Sequence, residues 1–116
     1  MIRGIRGATT VKRNEVSNIL QATEELLREI LKANSIDPAD IASIIFSATK
    51  DINSEFPAKA ARLMGLKDVP LLCVQEIAVP KSMPKCIRIL MHINTDKKQK
   101  EIKHVYLSGT ESLRKE

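Results

Sequence analysis

Arginine set inside a strand pattern is the feature with the most chemical content in this sequence. In the run Cys86-Ile87-Arg88-Ile89-Leu90-Met91-His92-Ile93-Asn94, alternation puts Ile87, Ile89, Met91 and Ile93 on one face. Cys86, Arg88, Leu90 and His92 share the other, so Arg88 sits mid-strand, turned from the main apolar row. Near the start of the chain, Arg6 shares its face with Gly4 and Ala8, whose small size leaves room beside a guanidinium. A guanidinium on a sheet is costly to desolvate unless a carboxylate pairs with it or an anion binds it. The residues leave two readings open for both arginines: a salt bridge at a subunit interface, or recognition of an anionic ligand.

The segment Val69-Pro70-Leu71-Leu72-Cys73-Val74-Gln75-Glu76 is the second unusual stretch, an apolar strand ending in two polar residues. Strict alternation gives Cys73 and Gln75 one face and Glu76 the other; a bulge at the strand end would bring Cys73 and Glu76 together. The alternative makes Cys73 a small buried hydrophobe and Glu76 a loop acid. Tyr106, the single tyrosine, shares a strand face with His104 and Ser108. It is either a core residue with a satisfied hydroxyl or a donor to a ligand. Glu55, Lys59 and Arg62 follow three- and four-residue spacing around a helix opened by Phe56-Pro57-Ala58, the pattern of a solvated face. His92 and His104 lie on separate strands with no carboxylate at fixed spacing and are not expected to be catalytic. Glycine-rich phosphate loops, zinc-ligand spacings and nucleophile elbows are missing from the sequence, so covalent or metal chemistry is not expected.

These residues need a scaffold. Residues 2–8 read as a short strand in which Gly4 and Gly7 mark close approach of another backbone. Lys12 to Asn34 reads as an amphipathic helix, with Val16, Ile19, Leu20, Thr23, Leu26, Leu27, Ile30 and Leu31 at helical spacing and Asn34 as its stop. Asp37-Pro38-Ala39-Asp40 is a helix-start signature. Ile41–Thr49 reads as a strand, Asp51–Ser54 as a polar loop, and Phe56–Met64 as a second helix closed by Gly65. Val69–Gln75 and Cys86–Asn94 are strands, Thr95–Lys100 a charged turn, and Lys103–Ser108 a last short strand before a tail, residues 109–116, expected to be flexible. The order is β-α-β-α-β-β-β, an α+β fold in one domain over residues 1–116, with helices on one face of a mixed sheet. Ile44–Ala48 and Pro70–Val74 are apolar on both sides, so the second face is expected to need a partner.

A chain of 116 residues, 43% hydrophobic and 28% charged, can bury one core and gains from a subunit interface. The net charge of +5 lies wholly in residues 81–116, where nine Lys/Arg meet four Asp/Glu; residues 1–80 hold ten of each. Such a bias suits a nucleic acid, an acidic surface or a small polyanion, or is a solvated basic loop around Lys97, Lys98 and Lys100. No stretch approaches the ~18 consecutive apolar residues of a membrane helix. The beginning lacks the apolar run of a signal peptide, so a cytoplasmic location with Cys73 and Cys86 reduced is expected.

The separate features coincide in one pattern. IRGIRGATTV at 2–11, FPAKAAR at 56–62, VPLLCVQE at 69–76, KCIR at 85–88, HVYL at 104–107 and Leu113-Arg114 resemble the trimeric, barrel-like chorismate mutases typified by bacillus, which are unrelated to the all-helical mutases. The resemblance spans nearly the whole chain. It implies a homotrimeric pseudo-barrel with active sites in clefts between subunits, no cofactor, and rearrangement of chorismate to prephenate on the route to phenylalanine and tyrosine. By the same resemblance, Arg6 holds a substrate carboxylate and Arg88 meets the breaking ether oxygen. Glu76 and Cys73 lie near the ring hydroxyl, within a lining strand end that spans Leu72, Cys73, Val74, Gln75 and Glu76. Tyr106 contacts the enolpyruvyl side; Phe56, Ala58, Lys59 and Arg62 come from the adjacent subunit; Leu113 and Arg114 close over the site. The sequence departs from the family where Leu72 replaces a usual threonine and where Lys81-Ser82-Met83-Pro84 replaces a glycine-containing connection. Two readings compete: enamine or imine hydrolysis on a similar trimeric scaffold, and a basic interaction module. The first is not expected to combine Cys73, Glu76 and Tyr106, and the second lacks aromatic residues for stacking.

Overall fold

The structure is a computed structural model that describes residues 1–115. Strand β1 (Ile2–Thr10) leads through helix α1 (Val16–Ala33) and a 3-10 turn at Pro38–Asp40 into β2 (Ile41–Ala48). Helix α2 (Ala58–Leu63), β3 (Leu71–Gln75), β4 (Cys86–Asn94), β5 (Val105–Tyr106) and a final 3-10 turn at Glu111–Lys115 follow. The five strands form one sheet in the order β3-β2-β4-β1-β5. β4 runs antiparallel to both β1 and β2, while β3 is parallel to β2 and β5 parallel to β1. The connections carrying α1 and α2 are therefore crossovers between parallel strands, and both helices pack on the same sheet face.

That face is the core. Ile5, Ile44, Phe46, Ile89, Met91 and Ile93 from the sheet meet Leu26, Leu27 and Ile30 of α1 and Ala61 of α2, all buried. Gly7 is required by this packing. A Cβ there would stand 2.7 Å from Ile30 Cδ1 and 3.2 Å from Leu26 Cδ1, so the close approach comes from helix side chains and not from another backbone. Gly4 has only an ordinary contact with Leu90. Gly65 closes α2 at φ +92 as expected.

Several boundaries differ from the expectation, each for a local reason. α1 begins at Val16 and not at Lys12. Asn14 is held outside the helix, because its Oδ1 accepts the Asn53 and Ser54 amides and its carbonyl accepts the Ser54 hydroxyl. Asn34 does end the helix region: its buried amide donates to the carbonyls of Ile30 and Lys103 and accepts the Lys103 N–H. β1 runs two residues further than expected because Thr9 and Thr10 pair with Ile87 and Cys86. β3 starts at Leu71, after Pro70, which offers no N–H but whose carbonyl accepts the Ile44 amide. α2 is shorter by the Phe56-Pro57 opening and by Met64.

The last strand is only two residues long, where Lys103–Ser108 was expected. Side chains close the rest of the β1 edge. The Gly4 N–H donates to Gln99 Oε1 at 3.1 Å, Gln99 Nε2 donates to the Gly4 carbonyl at 2.7 Å, and the Arg6 N–H donates to His104 Nδ1 at 2.9 Å. Ser108, at φ 51, then turns the chain away. Among the described residues, no helix is long and apolar enough to cross a membrane.

Candidate active site

The sheet's second face carries alternate residues of the same strands. Pairing sets Arg88 between Ala8 and Ser47, and Leu90 between Arg6 and Ile45. Glu76 extends the β2–β3 ladder by one step, its N–H donating to the Ala48 carbonyl at 2.9 Å. Alternation through Leu72 and Val74 then brings Glu76 onto this same face. Its Oε1 accepts the Ser47 hydroxyl at 3.0 Å and lies 3.4 Å from Arg88 Nε. Each side chain of the Arg88–Glu76 pair is about a third exposed (36% and 31%), open enough for a ligand to reach yet shielded compared with a surface pair.

The end of the chain covers one side. Leu113 is buried in a small cluster with Ala8 and Cys86, against which Tyr106 and Met83 pack. Thr110 ties this segment down by donating to the carbonyls of Ala8 and Leu107. The Arg114 guanidinium lies 6.0 Å from the Tyr106 ring centre, and the Arg114 carbonyl accepts from Arg6 at a long 3.5 Å. Of the 109–116 tail, Glu116 lies outside the described residues. Arg6, Ala8, Ile45, Ser47, Glu76, Arg88, Leu90, Tyr106 and Leu113 together line a recess of about 280 Å³. His104 is an exposed residue, but partial desolvation of its ring, together with the nearby Arg6 and Arg114 charges, pushes its pKa below the usual histidine range.

A second recess, about 410 Å³, is lined by Phe56, Pro57, Cys73, Val74 and Gln75 with Glu55 and the 48–54 segment. Of the two alternatives for Cys73, the bulge is not formed and the small hydrophobe packed on the core is. The β2–β3 register runs unbroken from Ile44↔Leu71 to Ala48↔Gln75, so Cys73 and Glu76 stay on opposite faces of one chain. Cys73 packs against the core instead. Burial pushes its thiol above the usual cysteine range, while the Ala58 amide at the head of α2 pulls the other way. On α2, Lys59 Nζ lies 3.3 Å from Glu55 Oε2, and Arg62 donates to the Lys67 carbonyl at 3.1 Å. The Phe56 amide and Lys59 hold the partly buried Glu55 carboxyl below its ordinary range. Ala58, Lys59 and Arg62 line neither recess, and Leu72 lies 57% exposed on the open sheet face.

Leu72, Ala58, Lys59, Arg62 and Arg114 line neither recess, and the remaining candidates fall into two groups. Arg6, Glu76, Arg88, Tyr106 and Leu113 converge on one recess; Phe56, Cys73, Val74 and Gln75 line the other. Sequence reasoning missed Ser47, which holds Glu76, and the backbone-anchoring role of His104. Ser47 was legible only as one of two serines in an otherwise apolar strand, two positions after Ile45.

The sequence pattern of the family described as chorismate mutase type I matches residues 2–116. The chain is 48% identical over 115 residues to the chorismate mutase AroH of Bacillus subtilis (strain 168), covering 98% of this chain and 91% of that protein. It is also 48% identical to the chorismate mutase AroH of Thermus thermophilus, covering 98% and 94%. A solved chorismate mutase from Clostridium thermocellum superposes with a TM-score of 0.92 at 51% identity, over 94% of this chain and 97% of the other. On the family match and the near full-length identity together, this chain belongs to the type I chorismate mutases.

Proposed function

We propose that the chain converts chorismate to prephenate in clefts between the subunits of a homotrimer. In each cleft the Arg6–Glu76–Arg88 recess of one copy would face the Phe56–Cys73 recess of the next. Prephenate is the precursor from which phenylalanine and tyrosine are made. The observation that carries this reading is the paired Arg88 and Glu76 on an uncovered sheet face, with Arg6 and Tyr106 lining the same recess. Association is supported by what that face leaves in water. Leu72, Val74 (44% exposed) and Leu90 lie on it, and the following loop presents Ile77 (78% exposed) and Val79. A shared cleft also gives a reason for candidates that sit on opposite sides of one chain: Cys73, Phe56, Ala58, Lys59 and Arg62 would act on the substrate bound by the neighbour.

The rearrangement is unimolecular and calls for no general acid or base. The protein's work is to hold the compact conformer, with the enolpyruvyl arm folded over the ring, and to stabilise the charge that separates as C–O cleavage runs ahead of C–C bond formation. Arg88 is a fixed cation for the ether oxygen as it becomes negative, and Glu76 a carboxylate for the ring as it becomes positive. Ser47 keeps Glu76 in place. Arg6 grips a substrate carboxylate, best through two parallel bonds, and Arg114 with Leu113 closes the cleft. The basic bias of residues 81–116 steers a dianion inward.

The experiment is direct: purified protein, chorismate, the decline of chorismate absorbance, and identification of prephenate. Sedimentation run in parallel is expected to give the mass of three chains. Chorismate left unchanged refutes the activity, and a monomer at assay concentration refutes the shared cleft.

A further inference from the structure

The outer edge of β1 is closed by side chains where a longer β5 would have closed it with backbone. Gln99 takes both polar groups of Gly4, and the Arg6 N–H, two residues on, donates to His104 Nδ1 at 2.9 Å. Only an unprotonated Nδ1 can accept this bond, so the ring is neutral as it stands. The Arg6 side chain is exposed, and its contact to the Arg114 carbonyl is long at 3.5 Å. The backbone bond to the imidazole fixes the point on β1 from which that guanidinium originates.

We propose that His104 is a positioning residue for Arg6: its neutral Nδ1 anchors the Arg6 backbone on the free edge of β1, and protonation of the ring releases the anchor and weakens carboxylate binding. This rests on Arg6 being the substrate's carboxylate anchor, as argued above. The charges that face the ring are Arg6 on β1 and Arg114 in the final turn, with Lys103 next to it in the chain. Partial desolvation and both guanidiniums disfavour the protonated ring. Release is thus expected below the ordinary histidine value of about 6.5, leaving the anchor intact at neutral pH.

The test measures kcat and KM separately from about pH 5 to 8 for the parent, Arg6→Ala, His104→Ala, His104→Asn and the Arg6→Ala/His104→Ala double variant. Asparagine keeps an acceptor oxygen near the Nδ1 position and cannot titrate there. The expected result is a parent KM that rises on the acid side. His104→Ala raises KM roughly tenfold at every pH, and His104→Asn recovers most of that loss and flattens the acid rise. In the Arg6→Ala background, removing His104 adds no further loss. An Arg6→Ala enzyme with parental KM overturns the site reading and this proposal with it. A raised KM in Arg6→Ala, beside a His104→Ala enzyme within twofold of the parent or an acid rise that survives in His104→Asn, overturns the positioning role alone. Should the alanine variant not fold, the acid limb of His104→Asn decides the matter.

Discussion

The two faces of this sheet are made by alternate residues of the same strands and obey different rules. On the helix side, Phe46, Ile89 and Met91 are wholly or almost wholly buried, and what matters about each is volume and apolarity. One residue along, Ser47, Arg88 and Leu90 face outward, and there identity and pairing matter: a hydroxyl on a carboxylate, a guanidinium beside it, an aliphatic surface left uncovered. Stability is concentrated on the first face. The second keeps a partly exposed, mutually paired polar group, Ser47, Glu76 and Arg88, where a ligand can reach it. The comparison teaches that substitutions one position apart on β2 or β4 should separate the two properties.

The largest effect is expected from Phe46→Ala, a fully buried ring at the centre of the core. Chemical denaturation should show a loss of about 3–5 kcal/mol, with kcat of the surviving folded enzyme little altered. Next comes Arg88→Ala on the opposite face, where kcat/KM should fall about 10²–10³-fold, or ~3–4 kcal/mol, with thermal stability close to parental. Arg88→Lys should be poor as well, because an ammonium lacks the guanidinium's fork. Turnover within threefold of the parent in either variant would erase the distinction between the faces. Ser47→Ala should cost activity about fivefold to tenfold, or ~1–1.5 kcal/mol, and almost nothing further when combined with Glu76→Ala. Additive losses would mean that Ser47 acts independently of the carboxylate.

The smallest effect lies away from both faces. Asp51 accepts the Thr49 hydroxyl and the Lys85 amide, and these bonds outweigh the opposing effect of burial and hold its carboxyl below the usual range. A carboxyl depressed on folding stabilises the protein above its unfolded value, about 3.9, and that stabilisation disappears as pH falls through the lower folded value. Asp51→Asn should therefore be slightly less stable than the parent at neutral pH, and the difference should vanish in acid. A constant difference across pH would assign the effect to geometry and not to charge.

How much of this was legible beforehand depends on how local the cause is. The split of β4 into an apolar row and an Arg88 row follows from a two-residue period, and it is formed as expected. The stop at Asn34 and the start at Asp37 are short-range signals, and both hold: Asp37 Oδ1 accepts the Ala39 N–H. Long-range causes were invisible. The start of α1 depends on Asn14 meeting Asn53 and Ser54, some forty positions away. The brevity of β5 depends on His104 and Gln99 serving the β1 edge, and no local pattern distinguishes a side chain that replaces a strand. At Cys73 the periodicity decided between the two alternatives: the strand runs on without a bulge and the thiol packs on the core. The arginine recess was legible because cations inside strands are rare enough to stand out, whereas Ser47, a small residue in an apolar run, was not.

The most direct measurement is a crystal structure with a bicyclic mimic of the transition state bound. Arg88 should donate to the bridging oxygen at about 2.7–3.0 Å, Glu76 should face the ring hydroxyl, and Phe56 and Cys73 of a neighbouring copy should close the opposite side. A guanidinium left more than about 5 Å from that oxygen, or an inhibitor enclosed by one chain alone, would contradict the proposed site.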